Sequence, residues 1–422
     1  MSLSRRRFLA AASASPLLAS PLLSSPLLAS PLQAGEGDDG DMHGARDHAP
    51  IVAPARFEPW VEVTPSAMRH NVDVLSRLAG ERPIIAVIKN NGYGLGLREV
   101  ARILELDARV QGFGVVKVSE ALALREAGIR KPILLLALFD DTEGEALVRG
   151  GVTLSLCVPD AAARVARAAA RARRAATAQL YIDTGMSRMG VPYHRALPIM
   201  REMAGAPRVT LRGMFTELTE DRAFDTEQVG RLTSLAAEAR SAGVTIGGPL
   251  HAASSHAVFN HADTLLDAVR PGISLFGGYP TDDGRERSIA ALQVALAVRA
   301  RVVRVERLRP GDSVSYGRRF TAESPTWTAT IPVGHADGYP RGAVKGSRIL
   351  IGDRTYPVIG AVSASHCVVN LGSETTVAVG DVATLIGPDH PDVHPNQVAT
   401  AAGVSVYDVL MHLGMGMPRI VV

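Results

Sequence analysis

Ile84-Ile85-Ala86-Val87-Ile88-Lys89-Asn90-Asn91-Gly92-Tyr93-Gly94 sets a short apolar, β-branched run directly against a lysine and a turn of Asn and Gly. A run of this kind, bounded by turn residues, reads as a buried strand. Similar runs recur near 112–116, 132–136, 152–157, 179–183, 209–215, 249–253 and 267–276. Helix-like stretches such as 119–127 and 227–241 lie between most of them. Strands alternating with helices imply a parallel sheet. Eight strand-plus-crossover units between residues 57 and 285 predict a (β/α)8 barrel, which places functional residues at the C-terminal ends of its strands. A doubly wound sheet is the structural rival, but it commonly carries G-x-G-x-x-G after its first strand. Here Gly92, Gly94 and Gly96 make only G-x-G-x-G.

Beyond residue 285 the texture changes. Val-rich runs at 292–306, 327–333, 348–351, 356–362, 367–371 and 382–386 are separated by Gly, Pro and Asp, and predict a β domain over 286–422. Residues 395–413 read as one late helix. The expected fold class is therefore α/β: an N-terminal TIM-like barrel over 57–285 with a C-terminal, mainly-β domain.

The chain has 422 residues with 40 Gly and 26 Pro, too few breakers for a low-complexity chain. Its formal charge is +3, from 45 Lys+Arg and 42 Asp+Glu. Residues 1–34 hold three Arg and no acid, so the remaining body balances at 42 against 42. A near-neutral body argues against nucleic acid as partner, because phosphates demand a cationic surplus on one face. The Ala/Arg segment 161–176 places Arg164, Arg167, Arg171 and Arg174 at helical spacing. Without interleaved aromatics it reads as a solvated outer helix face.

Ser4-Arg5-Arg6-Arg7-Phe8-Leu9 is similar to a twin-arginine export signal, followed by an apolar stretch that ends at Leu32-Gln33-Ala34. Pro16, Pro21, Pro26 and Pro31 interrupt any helix long enough to span a bilayer, so 1–34 is expected to be an address rather than a stable anchor. A periplasmic protein is the expectation. Residues 35–56 carry Asp38, Asp39, Asp41, His43, Asp47 and His48, and read as a solvated linker, since nothing fixes a ligand geometry. Cys157 and Cys367 sit in apolar runs without metal spacing, and are expected to be buried, unpaired thiols. No metal site is expected.

Lys89 stands where the first strand ends. A lysine there can simply emerge into solvent. Partly desolvated at a barrel mouth, it would instead have a lowered pKa and become a nucleophile for carbonyls. The surrounding motifs favour the second reading. Ala86 through Gly94 resembles the pyridoxal phosphate (PLP) lysine motif of the alanine racemases, and the resemblance runs from Trp60 to the C-terminus. Trp60-Val61-Glu62-Val63 is similar to the family's opening strand, and Glu120-Ala121 through Gly128 to its second barrel helix. Asp183-Thr184-Gly185-Met186-Ser187-Arg188-Met189-Gly190, Arg270-Pro271-Gly272-Ile273 and Val314-Ser315-Tyr316-Gly317 follow in order. Ala336-Asp337-Gly338-Tyr339-Pro340-Arg341 and Val406-Tyr407-Asp408 complete the series.

The resemblance implies that Lys89 holds PLP as a Schiff base. It implies that Tyr93, Ser255, the backbone at Gly272 and Ile273, and Tyr407 bind its phosphate, and that Arg270 faces its ring nitrogen. Ser255 and Gly272 follow the seventh and eighth strand runs, where barrels often bind phosphate. Arg188 would steer the phenol or the substrate carboxylate. Racemisation needs a group on each face of Cα, and the resemblance assigns these to Lys89 and Tyr316. Tyr316 would reach the barrel of a second subunit, giving a homodimer with shared sites.

The departures from the family pattern cluster around the substrate. Tyr181 replaces the lysine before D-T-G that usually partners the motif's arginine, and Glu217 replaces a histidine that contacts the tyrosine and the ring-facing arginine. Glu217 is expected to pair with Arg270 and orient Tyr316, although a carboxylate would raise a phenol's pKa. His335 replaces a second tyrosine, and Ala364-Ser365 replaces a Met-Asp pair, so a roomier entrance is expected. The expected function is a PLP-dependent racemase of alanine, with other amino acids possible. The alternative is a PLP-binding relative with altered or lost turnover. Another PLP reaction on the same fold, such as decarboxylation, is a minor third.

Overall fold

A computed structural model describes residues 57–281, 284–414 and 416–422. The export and linker readings fall on residues outside these. Eight strands form a closed parallel barrel: Ile84–Val87, Val110–Val115, Ile133–Leu135, Thr153–Leu156, Ala176–Asp183, Val209–Phe215, Leu250–Ser254 and Ala268–Arg270. The last closes onto the first through Val269 opposite Ile84. Each matches one of the apolar runs read from sequence. The outer helices turn their apolar stripes inward. In Leu97–Glu105, for example, Leu97, Val100, Ala101 and Leu104 are buried at the spacing of one helix face. Asp141–Arg149 starts on Asp140, whose carboxylate accepts from the amides of Thr142 and Glu143 at 2.8 Å, while Glu143 Oε2 accepts from the Asp140 amide at 3.0 Å.

The second domain is built on a nine-stranded sheet. Its order is Arg304–Leu308, Thr326–Ile331, Cys367–Gly372, Arg354–Ile359, Arg348–Ile351, Val382–Ile386, Leu296–Arg301, Trp60–Val63, Arg419–Val421. Trp60–Val63 therefore lies in this sheet, antiparallel to Leu296–Arg301 with Trp60 opposite Arg299. A four-residue strand carries no mark of which sheet it will join, so the segment 57–285 is not all barrel. The run 292–306 divides into two strands at Val302-Val303.

The late helix is also two helices, Pro395–Ala402 and Val406–Met411. Gly403 takes φ 69° and ends the first, and Ser405 caps the second through the amide of Tyr407. This break aims Tyr407 at the barrel. The helix Val406–Met411 presses on Gly94 so closely that a Cβ there would lie 2.5 Å from the Leu410 carbonyl oxygen. From the last strand, Arg419 Nη2 donates to the Gly94 carbonyl at 2.6 Å. The C-terminal segment thus clamps the loop that follows Lys89.

Cys157 and Cys367 are buried and unpaired. On the helix Ala161–Ala172, Arg164 and Arg167 pair with Asp160 and Asp141, in keeping with a solvated, ion-paired face. Among the described residues no helix is long and apolar enough to cross a membrane.

Candidate functional site

Closing the barrel brings the C-terminal ends of its strands to one mouth. There a cavity of about 390 Å³ is lined by Lys89, Tyr93, Arg188, Glu217, Ser255, Arg270, Gly272, Ile273 and Tyr407, among others. All seven residues expected to touch the cofactor meet here, together with Arg188 and Glu217.

Lys89 leaves the first strand into an unusual turn. Asn90, Asn91, Gly92 and Tyr93 have φ of 54°, 58°, 62° and 52°. This left-handed region is open to Gly and tolerated by Asn, but costly for Tyr. Glu120 braces the turn: its Oε1 accepts from the Asn91 amide at 3.0 Å, and its Oε2 from the amides of Val116 and Lys117. Burial lowers the Lys89 pKa from its ordinary 10.5, and Glu217 opposes that shift more than any other neighbour. The charges of Arg188 and Arg270 add to the lowering. The neutral amine is therefore easier to reach than for a lysine in water.

The strain at Tyr93 places its buried phenol against Gly272. A Cβ on Gly272 would lie 2.2 Å from Tyr93 Oη, so only glycine fits. The amide of Gly272 donates to Ser255 Oγ at 2.9 Å. Backbone N–H groups, a serine hydroxyl and the phenols of Tyr93 and Tyr407 make a cradle of donors suited to a phosphate dianion. Burial raises the pKa of both phenols, so they remain protonated donors.

Arg270 is buried at the end of the eighth strand. Its Nη1 donates to His251 Nδ1 at 2.7 Å, and its Nη2 donates to the Thr216 carbonyl at 2.7 Å and to Glu217 Oε2 at 3.2 Å. The expected Glu217–Arg270 pair is thus present. Because arginine only donates, His251 Nδ1 must accept, and its Nε2–H donates to Gln179 Oε1 at 2.8 Å. His251 and Gln179 were missed from sequence. A histidine inside the buried strand Leu250–Ser254 was the available signal.

Asp183 Oδ1 accepts from the amides of Gly185 and Ser187, folding the loop so that Arg188 returns over the mouth. Tyr181, in the lysine's place, is buried against Phe215, with ring centroids 4.5 Å apart. Burial and Glu217 raise its pKa, while a hydrogen bond from Arg188 pulls the other way. Arg188 therefore has a neutral phenol as neighbour.

Tyr316, His335 and Ala364 do not line this cavity. They share a face of the β domain instead. Tyr316 is 77% exposed. Its neighbour Ser315 donates from Oγ to the Ala361 carbonyl at 3.1 Å, and the Ala336 amide donates to the Ala364 carbonyl at 2.9 Å. Within one chain, then, Glu217 does not orient Tyr316. One half of the expected chemistry sits in the barrel mouth and the other on an open surface.

Residues 63–280 match the family model "Alanine racemase, N-terminal domain", and residues 295–421 match "Alanine racemase, C-terminal domain". The alanine racemase of Desulforamulus reducens is 33% identical over 368 residues, covering 86% of this chain and 98% of that protein. That of Chlorobaculum tepidum is 32% identical over 363 residues, covering 84% and 93%. Among solved structures, the alanine racemase from D-cycloserine-producing Streptomyces lavendulae superposes with a TM-score of 0.82 at 27% identity, covering 87% of this chain and 97% of that one. The alanine racemase from Bacillus anthracis with bound L-Ala-P gives 0.79 at 26% identity, covering 88% and 96%.

Proposed function

This chain belongs to the alanine racemase family and is a PLP-dependent isomerase, and from that premise we propose that it interconverts L- and D-alanine with Lys89 and the partner subunit's Tyr316 as its two bases. The observation that carries the reading is the division of the site. Lys89 sits half-buried in the barrel mouth, while Tyr316 stands 77% exposed on the β domain. A phenol so exposed, on a strained turn, has its use in the barrel of another copy.

The cradle fits the cofactor. The Ser255 hydroxyl, which accepts from the Gly272 amide and keeps its own proton to donate, the Ile273 amide and the phenols of Tyr93 and Tyr407 would hold its phosphate, and Lys89 its aldehyde carbon. When bound, PLP delocalises the electron pair left on Cα once its proton is removed. Every remaining task falls to the chain. Lys89 Nζ, whose pKa burial lowers, takes or returns the proton on one face. The partner's Tyr316 serves the other. The Arg270 guanidinium offers only donors, so a basic ring nitrogen beside it would accept and stay unprotonated. That limits electron withdrawal and favours reprotonation over side reactions.

The dimer is tested by mixing inactive variants. Lys89→Ala and Tyr316→Phe homodimers lack one base at every site. Re-associated in equal amounts, half the dimers are mixed, and each mixed dimer regains one intact site, about one quarter of wild-type sites. Recovery supports sharing between subunits; no recovery from variants that exchange subunits refutes it.

We also propose a broader substrate range. His335 and Ala364 stand where bulkier side chains are usual, which leaves room beyond a methyl group. Cα-proton exchange in D2O over a panel of L-amino acids tests this, and reaction of alanine alone would refute it. Export by residues 1–34 is proposed on the Arg5-Arg6 pair and the apolar stretch after it. Arg5→Lys together with Arg6→Lys should leave the precursor in the cytoplasmic fraction, and unchanged fractionation would contradict the reading.

A further inference from the structure

Behind the phosphate cradle three side chains gather that the racemase chemistry does not use. Asp225 stands in the first turn of the helix Arg222–Ser241. His256 lies in the short helix Ser255–Asn260 after the seventh strand, and His261 at that helix's C-terminal end. Linear spacing did not reveal them, because Asp225 comes from a different barrel unit. All three are buried, at 0%, 9% and 4% exposure, and one ligand-capable atom from each lies within 4.8 Å of the others.

The carboxylate of Asp225 is divided between two tasks. Oδ1 accepts from the Thr219 amide at 2.9 Å, from Thr219 Oγ1 at 3.1 Å and from the Glu220 amide at 3.1 Å. Oδ2 is left over. It lies 2.9 Å from His261 Nδ1, yet neither atom makes a hydrogen bond, and neither does His256 Nδ1. Three buried polar atoms therefore converge, two of them in close contact, without one hydrogen bond among them, a condition folded proteins avoid. Two imidazole nitrogens and a carboxylate oxygen face one point, and in the tautomers that leave both Nδ1 atoms without a proton all three present lone pairs there. In those tautomers a water molecule, with two protons, leaves one acceptor unsatisfied. A cation can satisfy all three.

We propose that Asp225, His256 and His261 bind one divalent cation of the zinc class. Imidazole nitrogen with one carboxylate oxygen suits zinc or cobalt better than the all-oxygen set that magnesium or calcium prefers. The three bonds to Asp225 Oδ1 act as an outer shell that aims Oδ2 inward. The ion would tie the helix Arg222–Ser241 to the segment that begins at Ser255. His256 follows Ser255 directly, so the ion braces the phosphate cradle from behind. Its role is structural, and its detection does not depend on racemase turnover.

The test uses the full-length holoenzyme, dialysed against metal-free buffer. Metal per chain is measured by mass spectrometry, and cobalt(II) alone is then titrated in as a spectroscopic probe. The expected result is about one equivalent of metal per chain, with cobalt giving visible ligand-field bands of a low-coordinate site. His261→Gln and the double variant His256→Gln/His261→Gln should take up no cobalt. Added zinc should raise the melting midpoint of the wild type and leave that of His261→Gln in place. Wild-type protein that holds no metal after dialysis and takes up no cobalt overturns the proposal. Equal uptake by the double variant also overturns it, since the ion would then be held elsewhere.

Discussion

His251 holds Arg270 by accepting a hydrogen bond, not by charge: Arg270 Nη1 lies 2.7 Å from His251 Nδ1. Burial and the arginine's own charge keep the His251 pKa well below its ordinary value, which leaves Nδ1 free to accept. The ring lies stacked on Phe215 at 2° between planes, and its far nitrogen is tied to Gln179. His251→Leu removes an acceptor from Arg270 and a donor from Gln179. The expected loss is about 1–3 kcal/mol of stability, with weaker PLP retention, read from urea unfolding midpoints and cofactor absorbance.

Glu217 opposes the lowering of the Lys89 pKa. Glu217→Gln removes a negative charge and further favours the neutral amine. The limb of the pH–rate profile that reports Lys89 losing its proton should therefore move to lower pH. An unmoved limb would show that Glu217 acts on Arg270 alone.

Gly272→Ala sets a methyl 2.2 Å from Tyr93 Oη. The phenol belongs to a strained turn and cannot withdraw without disturbing Lys89. An overpacking cost of about 1–3 kcal/mol should appear mainly as lost PLP affinity, roughly 10- to 100-fold, measured by cofactor titration.

Ser315 has φ 63° and ψ −174°, a conformation that belongs almost solely to glycine. It stands immediately before Tyr316. Ser315→Gly and Ser315→Ala both remove the bond to the Ala361 carbonyl, but only glycine relieves the strain. The Gly variant should be more stable than the Ala variant by about 1–3 kcal/mol in equilibrium unfolding. Both should racemise more slowly than wild type, because the tether beside the phenol is gone.

His394 is half-buried and its pKa is pushed down to about 4 from 6.5 by burial, with Arg287 adding to the effect. Below pH 6.5 the unfolded chain binds a proton there that the folded chain does not. Its contribution to stability is therefore present above pH 6.5 and lost as pH falls toward 4, by no more than about 3 kcal/mol. His394 Nδ1 also accepts from the Asn396 amide. His394→Asn keeps an acceptor for the helix start, and its melting midpoint should fall less steeply between pH 6.5 and 4.

The barrel was legible because eight buried parallel strands leave eight apolar runs, and because turn residues punctuate them. Lys89 was legible for a related reason, since it stands where a strand ends, while Ser255, Arg270 and Gly272 followed from the resemblance to the alanine racemases, and their places at or just beyond a strand's C-terminal end agree with it. Tyr407 was legible by motif alone. Its approach to the cavity depends on Gly403 dividing a helix that periodicity joined.

Local physics is written into the sequence by itself, as strand and helix periods and as Gly and Asn where the backbone turns left-handed at Asn90–Gly92, and the cofactor was legible there only through resemblance to a known family. Tertiary structure alone decided the rest. It sent Trp60–Val63 into the far sheet, set His251 under Arg270, and turned Asp225 toward His256 and His261. It also left Tyr316 outside its own barrel. Each of these depends on residues far apart in the chain, and their meeting is set by closure of the barrel and packing of the second domain, which no local pattern encodes.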